Sequence, residues 1–362
     1  MAMKRYPLRY ILFFSPFIIA VAVELLLPVD FFTFRVWEAL VVEKVRYPLN
    51  YAPFYPNMHV RKNEQGDLSP YTPFATFKDV EWYTDRYGYR KKDGNPGKFN
   101  IVIIGDSNTA GSGLTQQDML SEMLEQRLKV TVYPLAPDGA QCYFKHRFLQ
   151  DTPPDTVILA CVERNIPYFR EPKARSFKPD NALFTKVHNT LLANRFLQSA
   201  TRQLDRIYKR NMLNFSRASI ARIGAPLPKC VPVEDKCFFF LGGAKANTDV
   251  SERNLQFAVN TIKKFRDIFH SMGIRFIFLP IPNKESIYYR YLHTKKPVFL
   301  DRLNARLREL NIETIDTHKA FDDAFEKDSV LLFHPDDTHW NKNGVRIATD
   351  MLAQYLSSTR KD

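Results

Sequence analysis

Cysteine is scarce in this chain, with four in 362 residues. That excludes a disulfide-dense scaffold. Cys230 and Cys237, in KCVPVEDKC, form one close pair without the second ligand pair that a structural zinc site needs, so in an oxidising compartment they are expected to close a small disulfide ring. Cys161 ends the strand-like run TVILAC and reads as a small core residue, while Cys142 carries no signal. There are no internal repeats, and only eight histidines, which keeps the search for a general base short. Acidic charge is also in deficit: 52 Lys+Arg against 39 Asp+Glu leave a net +13, a balance suited to nucleic acid, an anionic membrane surface or an acidic polymer. At 45% hydrophobic residues the chain is too apolar to be disordered and long enough for one large core or two modest ones.

Near the N-terminus, ILFFSPFIIAVAVELLLP (Ile11 to Pro28) is broken only by Ser15, Pro16 and Glu24 and follows Lys4, Arg5 and Arg9. Its ~18–20 residues suffice to cross a bilayer, and the basic flank places the N-terminus in the cytoplasm. The expectation is an uncleaved single-pass anchor over 10–28 behind a basic flank at 1–9, with the remainder exported. Two alternatives are a signal peptide cut after Ala20-Val21-Ala22 and a buried core helix; apolar residues continuing past those alanines favour the anchor. Export argues against nucleic acid as a partner.

Residues 29–98, rich in Pro, Tyr and Phe and without a sustained period, read as an exported linker packed on the domain surface and partly irregular. Beyond them strand and helix patterns alternate. Phe99 to Leu114, FNIVIIGDSNTAGSGL, is a β-branched run closed by Gly, Asp and Ser. Helix period follows at 118–128, strand character at 130–133 and 156–162, a helix at 251–272 closed by Gly273, a strand at 275–279, a short strand at 313–316 and a closing helix at 343–356. This alternation predicts a parallel sheet covered on both faces, spanning 99–358. The basic, helical stretch 181–222 has no strand partner and reads as an insertion, its charges forming a solvated face or a binding surface for a partner.

A serine on a sharp turn at a strand's carboxyl end lies where open α/β sheets keep their sites, near backbone N–H groups, and it needs a histidine and a carboxylate to act as a nucleophile. Ser107 stands on that turn. His339, in HPDDTHWNKNG, has Asp336 and Asp337 three and two residues ahead of it. In "PNKES", Lys284 and Glu285 read as a pair on a surface turn.

GDSN at 105–108 and DDTHW at 336–340 together resemble the SGNH, or GDSL-type, hydrolase superfamily, over about residues 82–358 apart from the insertion. The resemblance implies a flavodoxin-like three-layer α/β/α fold, acyl transfer or hydrolysis through Ser107, His339 and one of Asp336 and Asp337, and no metal or other cofactor. It implies an oxyanion hole from the Ser107 and Gly139 amides, Gly139 lying in APDGAQ after the second strand. The third block, usually Gly-x-Asn-Asp, reads CVERN here, so Asn165 or Arg164 stands in for the missing donor or the hole rests on two amides. Asn108 and Trp340, inside the two motifs, are the expected substrate contacts.

A narrower likeness, in GIRFIFLPIPNKESIYY (273–289) and the DTHW form, is to the SGNH-like proteins that O-acetylate bacterial exopolysaccharides, the alginate proteins above all. Those place their Asp-His motif before the serine, whereas here the serine comes first. The likeness implies acetyl transfer to an exported polysaccharide on the outer side of a bacterial inner membrane, with a multi-spanning acyl exporter as donor. The alternatives are an esterase using the same residues with water as acceptor, and a non-catalytic glycan-binding or scaffold subunit of an export complex.

Overall fold

The computed structural model describes residues 6–43, 52–92, 98–172, 183, 186–187, 190–191, 194–223, 225–227, 229–241 and 250–358. Parts of the stretch 181–222 therefore lie outside the described residues. Helix α1 is Tyr6–Leu26, followed by the short α2 (Val36–Leu40) and two strands, β1 (His59–Glu64) and β2 (Lys78–Tyr83). Then come β3 (Ile101–Ile104), α3 (Leu120–Leu128), β4 (Val132–Leu135), α4 (Arg147–Asp151) and β5 (Thr156–Val162). The stretch read as an insertion supplies α5 (Arg195–Lys209) and α6 (Asn211–Arg222), after which β6 (Val231–Val233) and β7 (Lys236–Phe238) form a hairpin. The chain closes with α7 (Glu252–Ser271), β8 (Arg275–Ile281), the single-turn α8 (Lys284–Ile287), α9 (Phe299–Glu309), α10 (Thr317–Asp328) and α11 (Lys342–Ser358).

The central sheet has four parallel strands in the order β4-β3-β5-β8. Side chains of a strand alternate between faces, so one run of apolar residues feeds two cores. Val102, Ile104, Val157, Leu159, Phe276 and Phe278 pack with α7 and α9 on one face. Ile101, Ile103, Ile158, Ala160, Ile277 and Leu279 pack with α3 and α11 on the other. The result is the three-layer α/β/α sandwich that the alternation and the motifs implied. The strand expected at 313–316 is reduced to one bridge, Thr314 against Phe278. Cys161 is buried in the first core, and Cys230 and Cys237 are disulfide-bonded across the β6–β7 hairpin.

Strand order reverses at β3, whose neighbours β4 and β5 lie on opposite sides. At such a switch point the loops leaving the strands part and open a crevice outside their carboxyl ends. Ser107 follows β3 at that crevice.

One reading needs correction. The stretch 29–98 is no irregular linker over its described part: β1 and β2 pair antiparallel from His59↔Tyr83 to Glu64↔Lys78 and bury their own cluster of Val36, Leu40, Phe54, Val80 and Trp82. Its lack of long periodicity reflects short elements joined by turns. Helix α1 is long and apolar enough to cross a membrane. Its apolar side chains are exposed, Phe13 at 67% and Ile18 at 61%, so it is not the core helix of a soluble fold.

Candidate active site

Asp106 shapes the turn that carries Ser107. Its Oδ1 accepts the Asn108 N–H at 2.9 Å and its Oδ2 accepts the Val162 N–H at 2.8 Å, tying the turn to the end of β5. No helix begins here; a run of turns follows, closed by Ala110 N–H to Asp106 O and Ser112 N–H to Ser107 O. Gly105 is required because a Cβ there would lie 2.1 Å from Thr109 Oγ1 and 2.9 Å from the Ala160 carbonyl.

Ser107 Oγ lies 2.8 Å from His339 Nε2, and His339 Nδ1 lies 2.5 Å from Asp337 Oδ1. With Nδ1–H donating to the carboxylate, Nε2 is left as the acceptor for the Ser107 hydroxyl proton. Burial opposes ionisation of Asp337, but the imidazole's charge and hydrogen bond outweigh it and hold this carboxyl well below the ordinary range.

Asp336 takes no part in this line. Its Oδ2 accepts the N–H groups of Gly66 and Thr76, each at 2.8 Å, and its Oδ1 accepts Lys78 Nζ at 3.1 Å. Successive residues in a tight loop point apart, so only one of the two aspartates reaches the ring. Asn108 and Trp340 do not line a substrate face either. Both are buried and bond each other: Trp340 N–H to Asn108 Oδ1 at 3.3 Å and Trp340 Nε1–H to Asn108 O at 3.2 Å, pinning the serine turn to the histidine loop.

Gly139 is exposed in the loop after β4, held beside the serine turn by Asp138 N–H to Gly105 O at 2.7 Å. The Ser107 N–H meets no acceptor among the described residues. Asn165 is exposed, and Arg164 turns its N–H to Asn283 Oδ1 at 3.2 Å. Glu163 occupies the space beneath, its carboxylate taking the Asn283 N–H at 2.9 Å and the Ser286 hydroxyl at 2.5 Å, and burial raises its pKa.

Much of the site's support went unread in the sequence. Asp67 accepts the Thr338 N–H at 2.9 Å and the Thr338 hydroxyl at 2.8 Å, and lies 3.7 Å from His339 Nδ1. Arg90 is fully buried, donates to the carbonyls of Ala110, Gly111 and Leu114, and stacks 3.8 Å above the Trp82 ring. Burial lowers its pKa to about 9. Lys284 does not sit on the surface: it is 1% exposed and its ammonium reaches the carbonyls of Phe239, His334, Pro335 and Asp337 at 2.7–3.1 Å. Glu285 is likewise buried and accepts the Leu241 N–H at 2.7 Å. Asp67, Asp337 and His339 offer ligand atoms within 4.8 Å of one another, but the hydrogen bonds to Thr338 and His339 already engage them.

Residues 234–362 match the family described as the SGNH hydrolase-like domain of the acetyltransferase AlgX. A stretch of 112 residues is 26% identical to the probable alginate O-acetylase AlgJ of Pseudomonas putida, covering 30% of this chain and 29% of that protein, so the chain spans under a third of its curated relative. Among solved structures, a protein titled as lipolytic and of the G-D-S-L family from Desulfitobacterium hafniense is matched at TM-score 0.35 and 15% identity, over 70% of this chain and 97% of that one. An acylhydrolase-titled protein from Bacteroides fragilis is matched at TM-score 0.34 and 10% identity, over 76% and 93%.

The matched segment is thus similar to SGNH-type acyltransferases and esterases. Within that class its likeness is to the alginate-type acetyltransferases, carried by the segment that holds Asp337 and His339.

Proposed function

We propose that this protein O-acetylates an exported polysaccharide through an acyl-enzyme on Ser107, working from a single-pass membrane anchor with its catalytic domain on the outer side of a bacterial inner membrane. The reading rests above all on the line from Ser107 Oγ through His339 to Asp337, at 2.8 and 2.5 Å. The AlgX-type match and the exposed apolar α1 support the substrate class and the anchor.

In the first half-reaction His339 Nε2 takes the Ser107 proton as Oγ attacks the donor's acyl carbonyl. The bond from acyl carbon to leaving group breaks, and the leaving group receives the proton from Nε2. In this reading the Ser107 and Gly139 N–H groups donate to the oxyanion. In the second half a sugar hydroxyl gives its proton to Nε2, its oxygen attacks the ester, and Ser107 Oγ departs with that proton. Asp337 keeps the imidazole in the required tautomer and balances its positive charge in both halves. A multi-spanning acyl exporter is the implied donor partner, and the net charge of +13 suits an anionic glycan.

The test is the full chain in nanodiscs with p-nitrophenyl acetate, with and without an oligosaccharide acceptor, followed by intact mass spectrometry of protein and sugar. Acetylated sugar that disappears with Ser107→Ala carries the proposal. Acetate released without acetylated sugar makes it an esterase. Absence of both acyl-enzyme and turnover, with glycan binding intact, makes it a scaffold.

A further inference from the structure

Helix α5 is built inside out. Its buried residues are polar: Gln198, Asp205, Arg206 and Lys209. Its exposed ones, Arg195 aside, are apolar, among them Phe196 at 78%, Leu204 at 57%, Tyr208 at 47% and Ile207 at 37%. With Ala200 these form one stripe at helical spacing, opposite the polar face. The inward polar groups are all engaged. Asp205 accepts the Tyr55 hydroxyl at 2.6 Å and the Glu43 N–H at 3.1 Å, and Gln198 accepts Asn57 Nδ2 at 3.0 Å. Lys209 reaches the carbonyls of Glu38, Ala39 and Val41, and Arg206 those of Glu24 and Leu27 where α1 ends. The helix is thereby fixed by its polar side, which leaves the apolar side facing outward.

That apolar side continues onto α1. Phe17 and Val21 line a groove of about 390 Å³ with Ile207, Met212 and Leu213, and Glu24 closes one end by accepting the Met212 N–H at 3.0 Å. Positive charge borders it: besides the inward Arg206 and Lys209, residues 195–222 hold five arginines, Arg195, Arg202, Arg210, Arg217 and Arg222, and their single acid, Asp205, is buried. An exposed apolar stripe flanked by cations, running off the end of a helix able to span a bilayer, has the pattern of an interfacial helix on anionic lipid.

We propose that α5, with the start of α6, lies in the headgroup plane of an anionic bilayer, its apolar stripe at the acyl boundary, and so sets the height and tilt of the catalytic domain. This rests on the reading of α1 as a bilayer anchor. The stretch read as an insertion then has a binding role, with lipid as the partner.

The experiment uses the full chain in nanodiscs of 3:1 phosphatidylcholine and phosphatidylglycerol, on a Cys142→Ser background. An environment-sensitive nitrobenzoxadiazole label is placed in turn at Phe196→Cys, Leu204→Cys, Phe13→Cys and the exposed Lys319→Cys, and quenching by spin-labelled lipids of two depths is measured. Quenching of Phe13 by the deep probe, with Phe196 and Leu204 blue-shifted and quenched by the shallow probe at least twofold more than Lys319, bears the proposal out. Phe13 quenched with Phe196 and Leu204 indistinguishable from Lys319 overturns it while the anchor stands. Phe13 unquenched overturns the anchor itself. Blue-shifted but unquenched labels at Phe196 and Leu204 mean that protein, a second copy or a membrane partner, covers the stripe, and this too overturns the lipid assignment.

Discussion

Asp67 holds both the N–H and the hydroxyl of Thr338, the residue between Asp337 and His339, at 2.9 and 2.8 Å. The orientation of the imidazole is therefore set in part by a carboxylate 271 residues earlier in the chain. Asp67→Ala is expected to lower kcat by about 10- to 100-fold with little change in KM, since a displaced general base costs rate more than binding. Asp67→Asn, which keeps the acceptor for the Thr338 N–H, should recover part of the loss. Steady-state p-nitrophenyl acetate kinetics on the three proteins checks this; equal losses in kcat and in folded fraction would make Asp67 merely structural.

Asp336 and Asp337 are neighbours with separate duties, and their asparagine variants should part accordingly. Asp337→Asn is expected to lower kcat by about 10⁴-fold, because the amide stabilises the wrong imidazole tautomer. Asp336→Asn weakens the contact with Lys78 and should lower Tm while retaining most of the turnover per folded molecule. Parallel kinetics and thermal melts distinguish the two.

Arg90 supplies a fork of donors to backbone carbonyls of the turn beyond Ser107, and hydrogen bonds from a charged group contribute about 1.5–3 kcal/mol. Arg90→Met should therefore cost about 2–4 kcal/mol in urea unfolding. Arg90→Lys should rescue little, because a single ammonium cannot reproduce the planar fork.

His334 is half-buried, with its Nε2 enclosed and without a partner among the described residues, and loss of solvation lowers its pKa to about 3. Its unfolded counterpart binds a proton near pH 6.5, so between pH 6.5 and 3 the unfolded state carries more protons and stability falls as pH falls. The full window is worth up to about 4–5 kcal/mol. Replacing His334 with Asn should flatten acid unfolding between pH 6 and 4 when followed by circular dichroism; an unchanged slope would count against it.

Glu64 has the opposite sign. Burial raises its pKa to about 7, and one carboxyl oxygen has no partner among the described residues while the other accepts the Val36 N–H at 3.0 Å. Between pH 4.5 and 7 the folded state holds the extra proton, so stability declines as pH rises through that window, by about 3 kcal/mol above it. Glu64→Gln should stabilise the protein at pH 8 and leave it unchanged at pH 4, as measured by chemical unfolding at the two pH values.

The sheet and the central contact of the site were legible because their signals are local. A β-branched run closed by Gly-Asp-Ser announces a buried strand and its turn, and Asp-Thr-His keeps acid and base within three residues. The supporting residues gave no such signal. Asp67 and Lys78 act on a loop far along the chain, Arg90 on a turn 20 to 24 residues on, and no spacing rule links Asp67 to Thr338. Lys284 and Glu285 were misread because charged side chains are exposed by default, and only a cage of carbonyl and amide partners makes burial tolerable. Asn108 and Trp340 were placed on the substrate side because they stand next to the reacting residues. Adjacency in sequence says nothing of which way a side chain turns.

The contacts from Gly66, Thr76 and Lys78 to Asp336, and from Asp67 to Thr338, join an early segment to a loop 258 to 271 residues further on. During synthesis, β1 and β2 emerge long before residues 336–338, and domains generally fold from the N-terminus first. Lys78 and Asp67 must wait, hydrated, until residues 336–338 arrive. The line of Ser107, His339 and Asp337 is thereby closed late: a growing chain carries the serine long before its base, and the two meet only after residues 336–339 have been made.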